Sequence, residues 1–292
     1  MTKTQRLNFT ASIVAWMVGM STLFISGQAI AGVIFQDDFE SCDRTKTQNG
    51  FTWLSGVRTT VNTANPKNGS CALEFAYQVA ADQADSFAEQ RFTLGGYYKE
   101  LFVKFDIFIP LNYVHRSQSG SATNNKWFVD VWEDAYSGGS GIAFDVNLWS
   151  STVASFFVAA SKSTDPKYNA GGRHIGGTEW IDQAVIKPTD IGKWLEVTQH
   201  FKYATGPTSN DGIIELYVKP AGGISRKHIS KTNGDWYVAE TATQGRGMNN
   251  GYLMGWANSG YAQQTKFYID NIVFSTNPIG LNGPVVTNVQ VR

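Results

Sequence analysis

The sequence predicts an all-β protein, a sandwich of two curved antiparallel sheets, and three observations predict it. Apolar and polar residues alternate with a period of two in one segment after another. Clusters of Gly, Asn, Ser and Pro, the residues that turns require, separate those segments. The composition, 13% aromatic and 16% charged with 29 glycines, suits a packed β domain rather than a coiled coil or a disordered chain.

Taken in order, the strands are expected at Val33–Phe39, Cys71–Tyr77, Ser86–Leu94, Glu100–Ile109, Lys126–Trp132, Ile142–Trp149, Ser155–Ala160, Trp194–Tyr203, Ile213–Lys219, Gly251–Ala257 and Lys266–Phe274. Only Asp182–Ile191 has helical character, and Pro188 limits it. Trp194–Tyr203 sets Leu195, Val197 and Phe201 against Glu196, Thr198, His200 and Lys202, so one face is core and the other wet. A Gly/Pro/Asn/Asp turn joins it to Ile213–Lys219 as a long hairpin. The first and last strands are expected side by side. No repeat of 20 to 50 residues is present, which disfavours solenoids and propellers.

Lys3 and Arg6 precede a mostly apolar run from Phe9 to Ile25, and Ala29-Ile30-Ala31 closes the segment before Gly32. This is the pattern of a cleaved secretory leader, with an uncleaved anchor as the alternative. Residues 1–31 are read as that leader, 32–275 as one β domain and 276–292 as a C-terminal tail, and the chain as secreted or periplasmic. Cys42 and Cys71, the only cysteines, are expected to form a disulfide in such a compartment; two reduced buried thiols are the alternative. The 24 basic residues balance 24 acidic ones, so no cationic field exists to hold nucleic acid. No membrane association of the mature chain is expected, and a monomer is.

Candidate functional residues cluster on the polar faces. In IAFDVNLW, Ile142, Phe144, Val146 and Leu148 alternate with Ala143, Asp145, Asn147 and Trp149, and the preceding NNKWFVDVW places Lys126, Asp130 and Trp132 on one face. Indole rings beside hydrogen-bonding side chains are what a sugar ring asks for: a flat surface for its C–H faces and partners for its hydroxyls. Rings covered by loops are the alternative, since Trp is highly buried on average. ADSFAEQRFTL sets Glu89 and Arg91 on one face; Arg91 suits a carboxylate, and a cross-strand ion pair with Glu89 is the structural alternative. His115, in the loop after Pro110, could exchange protons near neutrality, and Tyr113 and Tyr252 are candidate proton donors. GYLMGWANSGY sets Tyr252, Met254, Trp256 and Asn258 on one side, with core packing the default for Met254. Asp37, Asp38 and Asp270, near the paired chain ends, are candidate oxygen ligands for a structural Ca²⁺, although no twelve-residue calcium loop is present. No organic cofactor is expected: serine-hydrolase elbow, zinc-protease motif, phosphate loop and dinucleotide fingerprint are all missing.

The order of DDFES, SFAEQRF, ELFVKFDIFIPLNYVHR, NNKWFVDVW, GKWLEVTQHFKY, DGIIELYVK, GYLMGWANSGY and FYIDNIVFS resembles the concanavalin A-like jelly rolls. Within them it is most similar to polysaccharide lyases of the glucuronan and alginate type. Glu89 and Arg91 in AEQR match part of the lyases' Arg-x-Glu-x-Arg strand, with Phe87 in place of the first Arg, and Lys126 in NNKW resembles a groove lysine of that group. GYLMGWANSGY occupies the place of a Tyr-x-Lys-x-Gly-x-Tyr strand but contains no Lys, and the Gln-Ile-His motif has no match. The resemblance implies β-elimination on an acidic, uronate-containing polysaccharide. Arg91, Lys126 and Asn147 would neutralise the carboxylate, His115 and a tyrosine would move protons, and Glu89, Asp130, Trp132, Asp145, Trp149, Trp256 and Asn258 would hold sugars. The alternatives are a non-catalytic lectin-like module, a structural or adhesive protein, or a glycoside hydrolase; for the last, VDVWED offers Asp130 and Asp134 with Trp132 between them, a poor match to Glu-x-Asp-x-x-Glu.

Overall fold

A computed structural model describes residues 32–116, 125–134, 142–148, 154–160, 184–237 and 246–280, all within one unit, Ala31–Arg292. The described strands are β1 (Val33–Asp37), β2 (Thr47–Gln48), β3 (Phe51–Val57), β4 (Thr59–Asn62), β5 (Ala72–Tyr77), β6 (Ser86–Tyr98), β7 (Glu100–Phe108), β8 (Asn125–Lys126), β9 (Val129–Trp132), β10 (Ile142–Leu148), β11 (Ala154–Ala160), β12 (Trp194–Lys202), β13 (Gly212–Pro220), β14 (Arg226–Gly234), β15 (Met248–Ala257) and β16 (Thr265–Ser275). One sheet runs β14-β13-β12-β7-β16-β5-β4, with β1 added against β16. The second runs β11-β10-β8-β15-β6-β3-β2, with β9 between β10 and β15. Every strand pairing is antiparallel, which makes this the jelly-roll β-sandwich that the alternation predicts.

The inner faces meet through aromatic rings. Phe35 of β1 stacks on Phe51 of β3 at 3.7 Å between centroids, and Phe92 of β6 meets Phe274 of β16 at 4.8 Å. Farther along, Phe144 of β10 packs on Phe201 and Tyr203. Such rings add about 0.5–1.5 kcal/mol per pair beyond the area they bury. The first and last strands do lie side by side, with Val33 opposite Ser275, and β12 and β13 form the expected long hairpin.

Four strands depart from the expectation by existing at all: β2, β3, β4 and β14. Among the described residues of the expected helical stretch, the helical part is a 3₁₀ turn at Pro188–Asp190, because Pro188 can open a turn but leaves too little chain before β12. The expected single strand Lys126–Trp132 is split into β8 and β9, with Trp127 and Phe128, both buried, at the break. The split is repaired from the other sheet. Gln199, fully buried on the inner face of β12, accepts the Val129 N–H at 2.9 Å and donates to the Val129 carbonyl at 3.0 Å. Gln199→Leu would orphan both groups at about 1–3 kcal/mol each, so a drop in the urea midpoint is expected, and an unchanged midpoint would refute the bridging role.

On the outer face of the first sheet, His200 lies between two carboxylates. Its Nε2 is 2.7 Å from Glu100 Oε1 and its Nδ1 3.3 Å from Glu215 Oε2, while Lys227 donates to Glu215 Oε1 at 2.8 Å. Burial pushes the Glu215 carboxyl up, but hydrogen bonds from His200 and Lys227 and the lysine's charge outweigh it and bring it from the ordinary 4.5 to about 2. A depressed carboxylate stabilises the fold fully above its unfolded value, so this contribution of about 3 kcal/mol is lost as pH falls from 4.5 towards 2. Glu215→Gln should lower stability at neutral pH and flatten its fall across that window in a series of urea melts.

Candidate functional site

Strand register decides which side chains share the outer face of the second sheet, because directly opposed residues of an antiparallel pair point the same way. Across β6 and β15, Phe87 faces Trp256 and Arg91 faces Tyr252. Tyr252 in turn faces Asp130 of β9, and Asn250 faces both Thr93 and Trp132. On β10, Asn147 faces Lys126 of β8. The inner face is equally clear, with Phe144, Val146 and Leu148 fully buried in the core.

This face is partly open and partly closed. Trp256 is 45% exposed and tilts against Phe87 at 4.8 Å between centroids, giving an accessible aromatic corner. The Arg91 side chain is 43% exposed, and its Nε donates to Glu89 Oε1, whose side chain is only 5% exposed. Trp132 and Tyr252 are instead buried, their rings 5.2 Å apart, so neither offers an open stacking surface. Asp130 spends one oxygen on the fold: its Oδ1 accepts the Val146 N–H at 2.9 Å, where β9 and β10 share only the pair Val131 and Phe144. Asp145 is half-buried on β10. Asn147 differs from all of these. It is 1% exposed, and neither its Nδ2 nor its Oδ1 has a hydrogen-bond partner among the described residues.

Met254 takes the core packing expected of it by default, off the side that carries Tyr252 and Trp256. It takes a φ of 60° and Gly255 a φ of 146°, turning Met254 into the core. Tyr77 fills the kink, donating to the Gly255 carbonyl at 2.9 Å and accepting the Gly255 N–H at 3.3 Å. Gly255 thus admits a tyrosine hydroxyl of the opposite sheet rather than a ligand. Asn258 is half-buried in the turn beyond β15.

No family model matches the sequence, and no curated protein does. Solved structures do. The alginate lyase vAL-1 from Chlorella virus superposes with a TM-score of 0.53 at 14% identity, over 83% of this chain and 99% of that one. The PL-14 alginate lyase from Aplysia kurodai superposes with a TM-score of 0.51 at 9% identity, over 75% and 87%. The fold is the jelly roll of these alginate lyases.

Four further candidates are Tyr113, His115, Lys126 and Trp149. Tyr113 is buried in the core against Trp127 and Phe267, and burial, with the neighbouring Tyr261, pushes its hydroxyl well above the usual range. It lies 2.8 Å from His115 Nδ1, and Arg116 ties this loop to the Ala80 and Gly260 carbonyls, near the end of β15 that carries Trp256. Lys126 is placed by its backbone opposite Asn147; Trp149 lies outside the described residues.

Asp37, Asp38 and Asp270 do not gather into an oxygen cage. Asp37 accepts from the Phe39 N–H and from Trp53 Nε1, Asp38 from the Glu40 N–H, and Asp270 from the Lys67 and Asn271 N–H groups. Burial pushes both the Asp37 and the Asp270 carboxyl up. Among the described residues no group of three or more His, Cys, Asp or Glu could hold a metal ion. Asp37, Asp38 and Asp270, each turned to a separate set of N–H donors, do not form a set that fits calcium.

Sequence reasoning missed a cluster at the far end of β6. Tyr97, 41% exposed, donates to Asp134 Oδ1 at 2.6 Å; Arg246 donates to Asp134 Oδ2 at 2.7 Å and lies over the Tyr97 ring at 4.0 Å. Its hydrogen bond to Asp134 holds the Tyr97 hydroxyl above its ordinary value. The signal was faint, because Gly95-Gly96 ends the readable alternation two residues earlier.

Proposed function

We propose that this chain binds an acidic polysaccharide across the outer face of the second sheet and cleaves it by β-elimination. The observation that carries the reading is Asn147: its buried amide has no hydrogen-bond partner for either end among the described residues, at a cost of about 1–3 kcal/mol per group, which a sugar's hydroxyls and carboxylate would relieve. A uronate carboxylate received by Asn147, Lys126 and Arg91 would lose charge, which makes the sugar's C5 proton removable. A base takes that proton, the C4–C5 double bond forms, and the O4 of the departing sugar leaves with a proton from an acid. Tyr252, between Arg91 and Asp130 in register, and His115 are the proton carriers of this scheme. Trp256 and Phe87 supply the stacking surface.

Export is part of the reading, supported by the Cys42–Cys71 disulfide, which an oxidising compartment maintains. The test is to incubate purified protein with alginate, glucuronan and a neutral glucan, following both the ultraviolet absorbance of unsaturated products and reducing ends. Absorbance rising with a uronate polymer alone is the expected result. Binding without product would make this a lectin-like module, and reducing ends without absorbance a hydrolase. Sequenced from its N-terminus, exported protein should begin at Gly32.

A further inference from the structure

The first sheet carries a separate cleft of about 320 Å³ where β12 begins, β13 ends and β14 begins. Three cations line it, Lys187, Lys193 and Arg226, against one carboxylate, Asp190. Asp190 is buried and already committed: its Oδ2 accepts the Lys187 backbone N–H at 2.9 Å and receives Arg226 Nη2 at 3.4 Å. It compensates Arg226 through this one contact, and neither lysine side chain forms an ion pair among the described residues. Arg226 is under-satisfied as well, with a side chain 16% exposed and an Nε that is buried with no hydrogen-bond partner. The Pro220–Gly223 turn and the exposed Ile224 complete the wall.

We propose that this cleft is an oxyanion-binding site, taking a carboxylate or sulfate group on a compact ligand. A guanidinium whose buried Nε has no partner among the described residues, flanked by two ammonium groups that form no ion pair there, is short of acceptor oxygens, and an oxyanion supplies several at once. The volume lies at the small end of ligand pockets, which limits the occupant to a single ion or a monosaccharide-sized acid. Ile224 gives the second kind an apolar surface. The site belongs to the other sheet and stands whether or not the chain is a lyase.

The test is calorimetric and thermal titration of the whole protein with sodium sulfate, sodium glucuronate and glucose, against sodium chloride at matched ionic strength. Saturable binding of sulfate and glucuronate, or of glucuronate alone, with none for glucose, is the expected result; the first pattern assigns a general oxyanion site and the second a sugar-acid site. Lys187→Gln/Lys193→Gln should weaken that binding at least 10-fold while leaving any polysaccharide turnover unchanged, and Arg91→Ala should leave the binding intact. Titrations without saturation, or equal affinity in the double-lysine variant and the wild type, would overturn the assignment.

Discussion

Arg91→Ala is expected to slow unsaturated-product formation by about 100- to 1,000-fold, the usual consequence of removing one preorganised charge from a site where negative charge develops. The variant needs a control because Arg91 has two tasks. Its Nε also compensates Glu89, a nearly buried carboxylate. Breaking a buried pair costs about 3–5 kcal/mol, less here because the Arg91 side chain is 43% exposed and water screens it. A loss of activity in the single variant could thus come from a loosened strand. Glu89→Gln/Arg91→Ala removes the orphaned charge along with its partner. The double variant should recover the wild-type melting temperature but not the rate; recovery of both would place the chemistry elsewhere.

The polar face could be read from sequence because Phe144, Val146 and Leu148 of β10, and Ala88, Phe92 and Leu94 of β6, alternate into the core, and Arg91 shares its face with Tyr252. What lies over that face could not be read. Periodicity reports direction, whereas the burial of Trp132 and Tyr252 depends on what else packs there. The same gap explains Tyr113, buried while Leu111 and Val114 on either side are 82% and 65% exposed, an inversion that hydrophobicity does not signal.

The missed strands have physical causes too. β14 reads RKHISKTNG because it is a sheet edge, where charge protects against further pairing. In β3 the pairing with β6 shifts register between Trp53 and Gly56, so the period of two lasts only from Phe51 to Trp53. Gln199 was overlooked for the opposite reason. A polar residue in a core position looks like noise unless the strand it repairs, broken at Trp127-Phe128, is known to be broken.

Cys42→Ser/Cys71→Ser should lower the stability of the folded chain by about 3–4 kcal/mol, from a loop of 29 residues whose closure no longer restricts the unfolded state. For a domain of this size that corresponds to roughly 6–16 °C in melting temperature. Native geometry should survive the change. The Cys42 N–H still donates to the Phe39 carbonyl at 2.8 Å, and the Glu40 carboxylate still receives the Ser70 and Cys71 N–H groups. The bridged loop contains β3, whose backbone pairing with β6 sets Val57 opposite Glu89 and should keep the strand that carries Arg91 in place. Urea melts separate the two levels of effect. A constraint acting through the unfolded state predicts a lower midpoint and a steeper slope, as the released chain exposes more surface, with ligand binding at 25 °C unchanged. A midpoint that does not move would mean that the Glu40 bonds alone hold this corner of the sandwich.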